Sequence, residues 1–277
     1  MLKTPELRYV SYKSGRLAYR EAGEGPVLFF LHGMNGSSRS WLYIFEALAP
    51  SFRIIAWDAP SFGASDTYGD RIEDYVRAAR ALLQAVEINE AIVIGHSMGG
   101  VIAARFATDP GFLTKGLVLS STHLGFGLPE GAPLMERYAT RMNHIRSKGG
   151  DIAYGIERAK RSTPEGTSEA VIQFLADIAT GAKLEGIRDG GRMSQETDNS
   201  KIGHAINVPV LILSGGRDNV IAPEMHTALV AAFPSAQQEV FPNTGHASYV
   251  ECPKLFNEQI IRFANRCKSH GLSASTN

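Results

Sequence analysis

Ser97 stands in Gly95-His96-Ser97-Met98-Gly99-Gly100, a glycine–x–serine–x–glycine pattern. It follows the short apolar run Ala91–Gly95 and precedes a helix-period segment, Val101–Thr108, which stops at Asp109-Pro110. In that strand–turn–helix setting the pattern describes a nucleophile elbow. Glycine is needed two residues before and two after the serine, because a Cβ at either place would meet neighbouring backbone. The turn lifts the Ser97 hydroxyl above a sheet edge. It also leaves the Met98 N–H in the first turn of a helix, where amides lack intrahelical partners and the dipole favours negative charge.

A serine hydroxyl becomes a nucleophile only when a base takes its proton and an acid orients that base. Of the eight histidines, His246 is the candidate base. It lies in Asn243-Thr244-Gly245-His246-Ala247, between the last strand run and the last helix, at the edge where open parallel sheets bind ligands. His96 neighbours Ser97 but belongs to the elbow and is expected to pack against the sheet. His123 follows the Leu117–Ser120 run and is a candidate pocket residue. The acid should come from another strand end. Asp218 in Gly215-Gly216-Arg217-Asp218 directly follows Val210–Leu213 and gives the chain order Ser97…Asp218…His246. Asp58, after Trp57, competes with it, although Asp58-Ala59-Pro60 reads more simply as a residue organising its own turn. A second oxyanion donor beside Met98 is the Met34 N–H, aimed inward by Gly33, with His32 buttressing the loop from behind.

These residues need elements to hold them. Leu7–Tyr12 and Leu17–Glu21 read as a hairpin with Gly15 in the turn. Val27–Leu31, Arg53–Trp57, Ala91–Gly95, Leu117–Ser120 and Val210–Leu213 are short, apolar runs of the kind found in sheets covered on both faces. Helical stripes lie between them, at Trp41–Leu48, Ile72–Val86 and Val101–Thr108. A last strand fits Ala236–Phe241, and a last helix runs from about Pro253 to Cys267. Alternating strand and helix requires crossover connections. The fold class is therefore α/β, a mostly parallel, doubly wound sheet.

The rhythm breaks from Leu124 to Ser200, 77 residues without a strand run, too long for a structureless loop. The expected organisation is a core domain of residues 1–123 and 201–269, a helical cap at 124–200, and a flexible tail at 270–277. The cap carries 10 basic and 11 acidic residues, a balance that announces no charged substrate. Met34, Met98, Phe126, Met135, Tyr138 and Met142 could furnish an apolar, adaptable pocket. Packing onto the core is an equal reading for each of the cap residues among them.

Composition narrows the function classes. The 277 residues hold 28 Lys+Arg and 28 Asp+Glu, so the formal net charge is zero, which removes the footprint of a nucleic-acid binder or a polybasic membrane protein. No stretch approaches the ~18 apolar residues of a bilayer span, and the N-terminus does not read as a signal peptide. Cys252 and Cys267 form neither a disulfide framework nor a metal motif. The expected compartment is the cytoplasm, the expected partner a small molecule, and no metal or cofactor is called for.

The sequence resembles the α/β-hydrolase superfamily over nearly its whole length. The resemblance rests on Leu31-His32-Gly33-Met34, Trp57-Asp58-Ala59-Pro60-Ser61-Phe62-Gly63-Ala64-Ser65-Asp66, the elbow, Gly215-Gly216-Arg217-Asp218 and Gly245-His246, in that order. It implies Ser97 as nucleophile, His246 as base, Asp218 as orienting acid, and the Met34 and Met98 amides as oxyanion hole. The nearest likeness is to a capped group with 3-oxoadipate enol-lactonases, small-ester carboxylesterases and meta-cleavage C–C hydrolases. Ser61 stands where that second motif usually has glycine. A serine at the elbow disfavours haloalkane dehalogenases and epoxide hydrolases, which need a carboxylate there, and dienelactone hydrolases, which use cysteine. The implied activity is hydrolysis of a small ester or lactone. Cleavage of a dienone acid and a non-catalytic ligand receptor are the alternatives.

Overall fold

The apolar runs form the middle of an eight-stranded sheet in a computed structural model of the chain, which describes residues 3–273. The strands are β1 (Leu7–Tyr12), β2 (Gly15–Ala22), β3 (Val27–Leu31), β4 (Arg53–Trp57), β5 (Glu90–His96), β6 (Leu113–Ser120), β7 (Val210–Gly215) and β8 (Gln237–Phe241). Their spatial order is β1-β2-β4-β3-β5-β6-β7-β8. Pairing is antiparallel at β1·β2 and β2·β4 and parallel elsewhere. The mostly parallel α/β architecture expected from the sequence is the fold of this protein.

The helices are α1 (Leu42–Leu48), α2 (Ile72–Ala85), α3 (Met98–Phe106), α4 (Glu136–Lys148), α5 (Ile152–Ser162), α6 (Glu169–Ala179), α7 (Leu184–Glu196), α8 (Pro223–Ala232), α9 (Ser248–Glu251) and α10 (Pro253–Ser273). On one face of the sheet, α2 and α3 bury Tyr75, Leu82, Val101 and Phe106 against Phe29, Trp57 and Val93. On the other, α1 and α10 bury Phe45, Phe256 and Phe263 against Leu28, Phe30 and Ile54. Successive residues of β3 thus enter opposite cores, which is why that strand holds no polar residue. Between β6 and β7 the chain forms α4–α7 and no strand, α5 packing on α6 and α4 on α7. Among the described residues no helix is long and apolar enough to cross a membrane.

β3 pairs with β4 on one side and β5 on the other, so the winding direction reverses there. The C-terminal ends of β3 and β5 bound the crevice that such a reversal opens.

Several elements differ from the sequence reading; β6, for one, begins at Leu113, four residues before the apolar run. Gly15 is not in the hairpin turn; it opens β2 opposite Tyr12, and the two-residue turn is Lys13-Ser14, with Lys13 at φ 50°. A two-residue turn needs positive φ, and here a lysine adopts it. The elbow helix starts at Met98, three residues before the apolar stripe. Helix α8 went unread because Leu229 alone is buried, which leaves no stripe. The last helix reaches Ser273, so residues 270–273 of the expected tail are helical, while 274–277 lie outside the described residues.

Asp58 organises the turn after β4. Its Oδ1 accepts from the Ser38 N–H at 2.7 Å and its Oδ2 from the Ala64 N–H at 2.8 Å, and the residue is buried. Asp58→Ala would leave one buried and one part-buried amide unpaired, each worth about 1–3 kcal/mol. We expect a loss of about 2–5 kcal/mol in urea-unfolding free energy; a midpoint within error of the parent would contradict this role.

Candidate active site

Ser97 sits between β5 and α3 at φ 54°, ψ −121°, a backbone conformation that side-chain-bearing residues rarely adopt. Close backbone approach holds it there. A Cβ on Gly95 would lie 2.3 Å from the Gly99 carbonyl oxygen, and one on Gly99 would lie 2.2 Å from that of Leu31. The Ser97 N–H donates to the Ser120 carbonyl at 3.0 Å, and Thr122 Oγ1 donates to the Ser97 carbonyl at 2.5 Å. The elbow is therefore tied to the end of β6 as well as to β3.

Asp218 follows β7 and His246 follows β8, and the two side chains meet. Nδ1 of His246 lies 2.9 Å from Asp218 Oδ2, while Asp218 Oδ1 accepts the Val220 and Ile221 N–H groups at 2.7 and 3.1 Å. Burial alone would raise the Asp218 carboxyl, but the imidazole and the two amides outweigh it and hold the group below the usual carboxylate range. An ionised Asp218 accepts a hydrogen bond from Nδ1–H of His246, which leaves Nε2 as the free basic nitrogen. His246 and Ser97 face one cleft, with no direct hydrogen bond between them among the described residues.

Met34 and Met98 line the same cleft, from the ends of β3 and the start of α3. Neither amide has a hydrogen-bond partner among the described residues, which leaves both free to serve an oxyanion. His32 is wholly buried behind them. Its Nε2 accepts the Ala59 N–H at 3.0 Å, so its Nδ1 carries the proton, given to the Gly33 carbonyl at 2.8 Å.

The cleft encloses about 910 Å³, its open mouth included. His123 and Tyr138 line it, whereas Phe126 and Met142 do not. Phe126 packs behind the His123 ring at 4.9 Å, and Met142 is spent in the core with Ile145. The cleft is also not the apolar pocket expected, because Arg137, Arg141, Arg158 and Arg161 reach it from α4 and α5. Their helical spacing, four residues on α4 and three on α5, was the readable signal. His96 ends β5 and is buried, its ring 4.7 Å from that of His246 and tilted 55° to it.

Two supports were not read from the sequence. Glu251 on α9 accepts the Gly245 N–H at 2.8 Å and the Ala247 N–H at 3.0 Å, clamping the loop on both sides of His246. Helix α5 is fastened to the site at both ends, Tyr154 Oη donating to Asn35 Oδ1 at 3.1 Å and the Ser162 carbonyl accepting the His246 N–H at 2.7 Å. Ser61, the departure in the second motif, holds φ 71° and donates to Asp189 Oδ2 of α7 at 2.7 Å. Its hydroxyl thus ties the turn after β4 to the helical segment. Among the described residues no cluster of three His, Cys, Asp or Glu could hold a metal ion.

A model described as the alpha/beta hydrolase family matches residues 28–259. An uncharacterised protein of Mycobacterium tuberculosis is 28% identical over 94% of this chain and 81% of its own. A 2-hydroxy-6-oxononadienedioate/2-hydroxy-6-oxononatrienedioate hydrolase of Cupriavidus pinatubonensis is 24% identical over 92% of this chain and 94% of its own. Among solved structures, the enol-lactonase of Burkholderia xenovorans LB400 superposes with a TM-score of 0.82 at 22% identity, covering 93% of this chain and all (100%) of that one. That last likeness is one of fold.

Three buried histidines around the site are held below the ordinary histidine range. Burial is the main cause for each; His246 also pushes His96 down, and Arg137 helps bring His123 to about 4. An unfolded histidine titrates near ~6.5, so between the two values the unfolded chain binds more protons. Stability then rises with pH through that window and is lost as pH falls. We expect the urea midpoint to drop from about pH 6.5 to 4.5, and His123→Gln to flatten the slope by up to ~1.4 kcal/mol per pH unit. An unchanged slope in that variant would rule out a neutral, buried His123.

Proposed function

The chain belongs to the alpha/beta hydrolase family, and from that premise we propose that it is a serine hydrolase of small carboxylic esters or lactones. The observation that carries this reading is the buried Asp218–His246 pair, facing Ser97 across one cleft. In the proposed reaction Ser97 Oγ attacks the carbonyl carbon while His246 Nε2 takes the hydroxyl proton. The Met34 and Met98 amides donate to the oxyanion that forms. The tetrahedral intermediate collapses, the carbon–oxygen bond to the alcohol breaks, and His246 returns the proton to the leaving oxygen. Water then attacks the acyl-enzyme, giving one proton to His246, and Ser97 recovers its proton as the acid leaves. No external cofactor enters the balance.

We assign residues 124–200 the part of a cap that selects substrates. Each of its helices contributes residues to the cleft lining, and only strand-end and elbow groups touch the reacting atoms in the scheme above. The ligand-receptor reading of the same fold requires an inert Ser97.

Ser97→Ala should lower kcat on the best ester of a p-nitrophenyl, lactone and dienone-acid panel by up to about 10⁶-fold, without loss of fold. Asp218→Asn should lower it by about 10⁴-fold, through the wrong imidazole tautomer. A fluorophosphonate should label the parent at Ser97 and leave the alanine variant unlabelled. Full turnover by the alanine variant would end the assignment, and an unlabelled parent without turnover would favour the receptor.

A further inference from the structure

Charge is distributed unevenly over the helical segment. Its basic and acidic residues nearly balance, yet four of its ten basic side chains line the cleft and no Asp or Glu does so among the described residues. Arg137 and Arg141 lie one turn apart on α4, and Arg158 and Arg161 lie three residues apart on α5. These intervals bring each pair to one side of its helix.

Three of the four guanidinium groups lack a carboxylate partner among the described residues. Arg158 pairs with the neighbouring Glu157. Arg137, Arg141 and Arg161 have no carboxylate partner among the described residues; Arg137 instead lies over the Phe126 and Tyr138 rings. The Nε atoms of Arg141 and Arg158 are buried with no hydrogen-bond partner. Burial first, and then Arg158 and Arg137, bring the Arg141 guanidinium down to about 10. It remains cationic at neutral pH. Like charges gathered on a partly desolvated wall are unfavourable unless something negative completes them.

We propose that Arg137, Arg141, Arg158 and Arg161 form an anion subsite that selects substrates carrying a free carboxylate or phosphate group beside the scissile bond. The proposal takes only the identity of that bond from the hydrolase reading. A small anion fits better than an acidic protein surface. Arg161 is exposed at the rim, but Arg137, Arg141 and Arg158 are only partly exposed where they line the cleft, and there a small oxyacid can meet a guanidinium group that a protein surface cannot. The hydrogen bond from His246 to the Ser162 carbonyl, at the end of α5, sets the distance between this subsite and the reacting centre.

The test uses full-length Ser97→Ala protein, titrated calorimetrically at low ionic strength with dicarboxylates of about four to eight carbons and, separately, with inorganic phosphate. We expect saturable binding of one of the two anions, and the anion that binds identifies the source. Arg141→Gln and Arg137→Gln should each weaken it about tenfold to a hundredfold, the scale of one lost charge-assisted hydrogen bond. Arg141→Lys should weaken it less. With Ser97 intact, kcat/KM for the monomethyl ester of the binding diacid should exceed that for its dimethyl ester. That ratio should fall at least about tenfold in Arg141→Gln, with Arg137→Gln giving the same readout if the first variant fails to fold. Binding of neither anion, or binding unchanged in both glutamine variants, would overturn the subsite. So would binding lost in Arg161→Gln but kept in Arg141→Gln, the pattern of an acidic partner at the rim. Anion binding without turnover of any ester would instead uphold the subsite and overturn the hydrolase reading.

Discussion

The positive φ of Ser97 is the constraint from which the rest of the cleft is laid out. A residue in that conformation stores about 1–3 kcal/mol, which the surrounding structure must over-determine. Here three backbones do so by contact too close for any Cβ: the end of β5, the start of α3 and the end of β3. The same contact brings the Met34 loop beside the Met98 amide. One packing requirement thus sets both Ser97 and the two neighbouring amides, and mutations that loosen it would displace all three together.

Around this rigid corner the polar groups divide by sign and by layer. Beneath it lie neutral imidazoles, His32 and His96, kept uncharged by burial and satisfied in part through backbone groups. Lining the cleft are the guanidinium groups of Arg137, Arg141, Arg158 and Arg161. His246 occupies the boundary, held by Asp218 from behind, by Glu251 through its loop, and by the end of α5 through its own amide. The helical segment is therefore registered on His246 and on the Met34 loop, and Ser61 and Asp189 add a third fixed point.

The sheet was legible because strand segments buried on both faces favour apolar residues, so β3, residues Ile54–Trp57 of β4 and Val210–Leu213 of β7 show as apolar runs. The elbow, Asp218 and His246 were legible because strand ends and glycines mark them locally. Element ends read less well. Helix α3 hid its first turn behind two glycines that packing, not propensity, makes helical, and α8 has no stripe to read. The cleft wall was the largest miss. Summing charge over 77 residues averages the inner and outer faces of α4 and α5, which hides arginines that only rotation about the helix axis separates. For the same reason Met142 looked like a pocket residue: nothing local distinguishes a side chain that lines a cavity from one that fills the core beside it.

All four of those arginines fall between Glu136 and Ser162, two consecutive helices bounded by loops, whereas Ser97, Asp218 and His246 come from three separate strand ends. The two parts of the site are consequently heritable on different terms. Losing or moving a strand-end group demands concerted change in the sheet, but a single short recombination or a few base changes could rewrite the cleft wall and leave the sheet as it is. Descendants of this chain would be expected to diverge first in what they admit, and only much later in what they do to it.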